Sequence, residues 1–243
     1  MSDKEIIDYE LIIKDLETVE KRIDKLKKQA VTGDKESKIE YDILLKCKSC
    51  LDSGKSLRDL SLETNDMKWI KHLNLITLKP LIYVANIDES VILEDNQHVK
   101  SLRDLALKEN LSLIKICASL EEQLYDLTEE EKALFLDDYG ITESGLDKLI
   151  RASYDTLDLI TYFTAGKKEV RAWTVTRGAT APQAAGKIHT DFERGFIRAE
   201  VTAFDDYIRC GGENGAKEAG KLRLEGKEYV TQEGDVMHFR FNV

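Results

Sequence analysis

Proline occurs only twice in the 243 residues, at Pro80 and Pro182, so nothing in the first 79 positions forces a helix to stop. Into that stretch the sequence places Ile12, Leu16, Val19, Ile23, Leu26 and Ala30, three or four apart, with Glu and Lys filling the other faces. This is the apolar seam of a long amphipathic helix. Val31-Thr32-Gly33-Asp34 supplies turn chemistry, and Ser37 to Leu51 returns to helical spacing through Ile39, Ile43, Cys47, Cys50 and Leu51. Two antiparallel helices are the simplest packing that buries both stripes.

The second of these helices runs into Ser49-Cys-Leu-Asp-Ser-Gly-Lys-Ser56, whose tail is how a phosphate-binding P-loop ends. A working P-loop reads G-x-x-x-x-G-K-[S/T] and follows a buried strand, because its glycines let backbone N–H groups wrap the phosphates at the start of the next helix. Here Ser49 stands in place of the first glycine, and the preceding residues belong to a helix. Gly54 is therefore expected to end that helix in a left-handed cap.

From Leu78 the pattern changes. Leu81-Ile82-Tyr83-Val84-Ala85 is a short apolar run of the kind buried on both faces of a parallel sheet. A helical stretch from His98 to Lys108 follows, then a second strand at Leu111 to Ile116. Two parallel strands do not make a domain. The remaining strands are expected from a partner or a longer parent sequence, and Ile82, Val84 and Ile114 are expected to be poorly covered without them. Glu129 to Tyr139 and Glu143 to Leu157 read as helices. Further on, Val170 to Val175, Ile197 to Thr202, Glu228 to Thr231 and Met237 to Phe241 read as strands, with a short helix at Gln183 to Ile188.

Formal net charge is −10, unevenly spread: from Lys167 onward 13 Lys and Arg face 12 Asp and Glu, leaving 23 against 34 in the first 166 residues. An acidic body repels phosphate on average, so any nucleic-acid contact must be local and belongs to the C-terminal part, with no DNA specificity expected. No run of eighteen apolar residues exists, and the first twenty carry acids rather than a basic start before an apolar block, which points to a cytoplasmic protein without membrane contact. Cys47 and Cys50 have CxxC spacing, but no second ligand pair accompanies them and they share a helix face, so neither zinc nor redox use is expected.

Chemistry concentrates at Asn86-Ile87-Asp88-Glu89, which ends the first strand, and at Cys117-Ala118-Ser119, which ends the second. Carboxyl ends of strands in an open α/β sheet face the ligand crevice. An Asn there can hold loops together and touch a purine ring nitrogen, a carboxylate three residues on can accept from a purine amino group, and the second loop can offer backbone N–H groups. His189 and Asp191 lack a nucleophile or oxyanion arrangement, and Trp173 and Phe192 read as core aromatics.

These stretches, with Leu78 to Glu89, Tyr162 to Gly166, Glu169 to Thr174, Ala181 to Phe196 and Glu233 to Val243, resemble the C-terminal two thirds of the YchF/Obg-like ATPases, translation-factor-related P-loop NTPases. The resemblance implies an α+β multidomain chain: an antiparallel helical coiled-coil insertion at 5–72, the C-terminal half of an NTPase-type α/β domain at 73–157, and a β-grasp TGS domain at 158–243. It implies ATP bound in preference to GTP through Asn86, Ile87 and Glu89, with Cys117, Ala118 and Ser119 as the last base-side loop. It implies the ribosome, through its large subunit or rRNA, as partner. The family's P-loop, magnesium ligands and catalytic histidine precede the coiled coil and have no counterpart in these 243 residues, so no catalytic or metal-binding residue is assigned and ATP hydrolysis by this chain alone is not expected. The alternative is a non-catalytic ribosome- or RNA-binding module using the helical pair and the TGS domain, with Lys187, Arg194, Arg198, Lys221, Arg223 and Lys227 as its basic patch.

Overall fold

The computed structural model describes residues 2–31, 34–166 and 169–242, the side chains of 2 and 28–31 aside. The Ala30 side chain of the helical seam is among those left aside, and the Thr32-Gly33 turn lies outside the described residues. The chain divides into two compact units, Met1–Leu81 and Ile82–Val243.

In the first unit, α1 (Ser2–Val31) packs along α2 (Lys35–Asp52), burying Ile12, Val19, Ile23 and Leu26 against Ile43, Leu44, Cys47 and Leu51. Arg22 pairs with Glu40 and Glu20 with Lys48, so α2 runs back along α1. The stripe read from the sequence is off by one at its start: Ile39 is exposed and Glu40 faces inward. A glutamate holds that place because the Arg22 guanidinium meets both its carboxylate oxygens, at 2.6 and 2.7 Å. Gly54 caps α2 as expected, with φ +74°. Its N–H reaches the Leu51 carbonyl and that of Lys55 reaches Cys50, which satisfies two of the helix's last acceptors.

Leu57, Ile70 on α3 (Thr64–Ile70) and Leu75 complete this core. The segment around Leu75 to Leu78 is held by Ser56 and Leu57, which bond to Thr77, and by one buried carboxylate. Asp15, 2% exposed on α1, accepts from the N–H of Ile76 at 2.8 Å and from the N–H and hydroxyl of Thr77 at 2.7 Å each.

The second unit opens with β1 (Ile82–Asn86), α4 (Gln97–Glu109) and β2 (Ser112–Ile116). The strands pair parallel from Ile82↔Ser112 to Asn86↔Ile116, and among the described residues they pair only with each other. Neither is buried on both faces: Val84 is 46% exposed, and Ile82 and Ile114 are half-buried. Helices α5 (Ala118–Tyr125), α6 (Glu129–Asp138) and α7 (Gly145–Thr156) follow.

A five-stranded sheet then takes shape from β3 (Leu159–Ala165), β4 (Val170–Thr176), β5 (Phe196–Ala203), β6 (Arg223–Glu225) and β7 (Asp235–Phe241), in the order β4-β3-β7-β5-β6. β3 and β7 are parallel and the other pairs antiparallel. Helix α8 (Ala181–Ile188) packs on the sheet through Ala181, Ala184 and Ala185, small enough to let Tyr162 donate its hydroxyl to the Ala184 carbonyl at 2.7 Å. Short helices α9 (Thr190–Arg194), α10 (Phe204–Arg209) and α11 (Glu213–Glu218) fill the connections. The architecture is α+β, with mixed sheets. The strand expected at Glu228 to Thr231 does not form: Val230 makes one isolated bridge to Thr180, while Tyr229 turns its hydroxyl onto Asp235 at 2.7 Å. No helix among the described residues is long and apolar enough to cross a membrane.

Asp15→Ala should destabilise the first unit by about 3 kcal/mol, because the buried N–H and hydroxyl of Thr77, with the part-buried N–H of Ile76, lose a charged acceptor together. Urea titration followed by circular dichroism checks this, and a change below about 1 kcal/mol would contradict the clamp.

Candidate functional site

The two strand ends named from the sequence do meet. Asn86 and Ile116 are register partners at the carboxyl ends of the parallel pair, and the Ile87 N–H continues the ladder onto the Ile116 carbonyl at 2.8 Å. That bond uses the one donor of the Ile87 backbone, so only its carbonyl remains to meet a ligand. Asn86 and Glu89 are exposed, as are Ala118 and Ser119, while Cys117 is buried as the residue preceding α5. The N–H groups of Ala118 and Ser119 belong to the first turn of α5, where no intrahelical acceptor exists.

Across this edge Ser119 donates its hydroxyl to Glu89 Oε1 at 3.1 Å, and Cys117 Sγ lies 3.3 Å from the same hydroxyl. The other oxygen, Glu89 Oε2, accepts from the Tyr139 hydroxyl at 3.2 Å. The sequence marks Tyr139 only as the end of a helix, not as a site residue. Its ring packs with Phe135, Leu136, Ile141 and Ile87 against Cys117, Leu120 and Leu124. Burial of the ring, and then the bond to Glu89, raise its phenol above the ordinary value, so it stays a donor at neutral pH.

One device holds the loop that carries Glu89, and a second ties α5 to α7. Lys115 on β2 donates to the carbonyls of Val91 and Ile92, at 3.1 and 2.8 Å, and to Asp95 at 2.8 Å. Asp95 also accepts from Arg103 on α4, and the bonds to Lys115 and Arg103 keep its carboxyl below the usual range. On the other side Glu121 of α5 accepts from the N–H groups of Gly145 and Leu146, at 2.7 and 3.3 Å, capping α7. Gly145 must be glycine-sized here: a Cβ would lie 2.8 Å from the Lys115 carbonyl oxygen and 3.0 Å from Ile116 Cα.

The remaining sequence candidates divide differently. His189 caps α9, its Nδ1 accepting from the Asp191 N–H at 3.2 Å, which is a structural task. Phe192 stacks on Phe241 with ring centroids 3.8 Å apart, and Trp173 packs on the sheet core with Arg171 over its ring. Of the six basic residues grouped as a patch, Arg223 pairs with Asp235 and Glu225, and Lys221 with Asp206. Cys47 is fully buried, and burial and then Cys50 push its thiol up to about 11, the opposite of a reactive thiolate. No group of three or more metal-ligating side chains occurs among the described residues.

The geometry can be set beside known proteins. The family model YchF-GTPase_C, described as "Protein of unknown function", matches residues 159–242, the five-stranded sheet and its helices. The chain is 51% identical over 243 residues to the ribosome-binding ATPase YchF of Haemophilus influenzae, covering 100% of this chain and 67% of that one. It is 51% identical over 245 residues to the protein of that name in Bacillus subtilis, with the same coverage. The chain thus spans about two thirds of the length of these relatives. Among solved structures, the YchF GTPase of Schizosaccharomyces pombe superposes with a TM-score of 0.83 at 36% identity, over 98% of this chain and 65% of that one. A GTP binding protein from Pyrococcus horikoshii OT3, at 17% identity and a TM-score of 0.62, over 99% of this chain and 71% of that one, shares the fold.

Two outcomes follow from the packing. Gly145→Ala should lower stability by about 1–3 kcal/mol, since the methyl meets backbone on β2, and a thermal melt unchanged against wild type would contradict this contact. Cys47 should resist alkylation at pH 8 in the folded chain and react in urea, its reactivity rising only as pH approaches about 11, whereas labelling at the rate of a free thiol would overturn its assignment as core.

Proposed function

The chain belongs to the YchF family, and on that premise we propose that it is a cytoplasmic, ribosome-associated protein that binds ATP in preference to GTP. The observation that carries the nucleotide part is the meeting of Glu89 with Ser119 at the carboxyl ends of a parallel strand pair, with Asn86 and Ile87 beside it. The groups gathered there support this reading: a carboxylate to accept from an exocyclic amine, the Asn86 amide for a ring nitrogen, the Ile87 carbonyl, and the first N–H groups of α5.

In this reading residues 5–72 form a coiled-coil insertion, 73–157 the second half of an NTPase-type domain, and 158–243 a TGS domain of β-grasp type. The sheet order β4-β3-β7-β5-β6 with α8 laid across one face supports the last assignment. Ribosome association rests on what the relatives' names say of those proteins, with the large subunit or rRNA as the contact.

The residues present fit the base of ATP better than its phosphates. Gly54-Lys55-Ser56, which looks like the end of a phosphate loop, presents helix carbonyls rather than N–H groups. ATP, when bound, supplies the phosphoryl group and its own charge; these residues bind and orient the base, and we assign them no step in its hydrolysis.

Titration calorimetry with ATP and GTP, repeated on Glu89→Ala, tests this. Binding of ATP stronger than GTP, lost in the variant by about tenfold or more, is expected from removing a charged acceptor. Affinity untouched by the substitution would move the nucleotide elsewhere.

A further inference from the structure

Both oxygens of Glu89 are engaged before any ligand arrives, and the two donors come from different parts of the unit. Ser119 belongs to the first turn of α5, just after β2, whereas Tyr139 is fifty residues from Glu89 in sequence and sits at the end of α6. Its placement is fixed from below and from behind. The ring is wedged into the cluster under the site, against Phe135 at a centroid distance of 5.2 Å. Behind it, Gly140 turns the chain with φ +68°, its N–H on the Asp137 carbonyl and the Ile141 N–H on that of Leu136, so α6 ends rigidly at Tyr139.

We propose that Tyr139 is a positioning residue that sets base discrimination by holding the plane of the Glu89 carboxylate. This rests on the reading of Glu89 as the acceptor of a purine amino group. A glutamate side chain has three torsions, and an exposed one on a loop turns to suit whatever meets it. A freely turning carboxylate accepts from an amino group but also swings aside when a base presents a carbonyl oxygen, so it discriminates weakly. Held by one donor on each oxygen, it keeps a lone pair of each aimed at the base, and a carbonyl in that place meets acceptor against acceptor with no escape. The ordering of the side chain is also complete in the free protein, which favours binding of the base that matches. The phenol stays protonated at neutral pH through burial and the same hydrogen bond, as the donor role requires. The inference reaches past the loops of the base site itself: the C-terminal end of α6 becomes part of the specificity apparatus.

Tyr139→Phe tests it, because the ring stays in its apolar cluster and only the hydroxyl is lost. The quantity to read is the ratio of ATP to GTP affinity on the full 243-residue chain, measured with each nucleotide by ligand-observed NMR titration beside a thermal melt. The ratio is expected to fall about fivefold, which at 1.4 kcal/mol per tenfold is about 1 kcal/mol, with GTP gaining relative to ATP and the melting temperature unchanged. Ser119→Ala, which frees the other oxygen, is expected to lower the ratio in the same direction. Wild-type binding that Glu89→Gln weakens but whose ratio Tyr139→Phe leaves unaltered overturns the role of Tyr139 alone. A wild-type chain that binds neither nucleotide overturns the base-site reading and this inference with it, and the wild-type titration separates the two failures.

Discussion

Parallel strands cannot be joined by a tight turn, and the site in this chain is a consequence of that constraint. The crossover from β1 to β2 must leave one strand end, travel back along the sheet and re-enter beside it. The segments at the two carboxyl ends are thereby brought together, one carrying Glu89 and the other opening α5 with Ser119. The long loop would be free to swing if nothing tied it to the second strand. Lys115 does so, spending its three donors on two carbonyls of the loop and on Asp95, which Arg103 of the crossover helix also holds. Because the ammonium is fully satisfied, a cation is tolerated on a half-buried strand where an apolar residue would be expected.

Much of this was legible in the sequence, for identifiable reasons. The first helices follow from uninterrupted 3.6-residue spacing, and β1 and β2 from short apolar runs separated by a helical stretch. The turn of register on α2 was not legible, because whether Ile39 or Glu40 faces inward is decided by Arg22, on a different helix. In the same way β3 was passed over. Leu159 to Ala165 comes two residues after a helix ends, with no proline or cluster of turn formers between, and its strand character is conferred by pairing on both sides, with β4 and β7. Glu228 to Thr231 shows the converse: it has β-prone residues, but its neighbour at Thr180 turns at once into α8, so the ladder stops at one bridge and its tyrosine joins the Arg223–Asp235 network.

The residues at the two strand ends were visible because strand ends announce themselves by a change from apolar to polar residues. Tyr139 was invisible because it reaches the site by tertiary packing alone. The one local signal is Tyr139-Gly140 at the end of a helical pattern, which marks a left-handed cap and therefore a side chain held in a fixed direction. That signal says a residue is well placed, not what it is placed against.

Gly54-Lys55-Ser56 shows how far three residues can mislead when their helix is on the wrong side. A glycine with positive φ beside a helix end serves both a phosphate loop and a C-terminal cap, since either needs the chain to turn sharply where backbone groups lack partners. The difference lies in which groups those are. At a helix start they are N–H donors with the positive end of the dipole, which suit phosphate; at a helix end they are carbonyl acceptors with the negative end, which repel it. Here the glycine follows Lys35–Asp52, and the N–H groups of Ser53, Gly54 and Lys55 are already turned back onto Ser49, Cys50 and Leu51. With these backbone donors committed to closing the helix, the loop cannot wrap a phosphate with them, and its tripeptide is accounted for by helix termination.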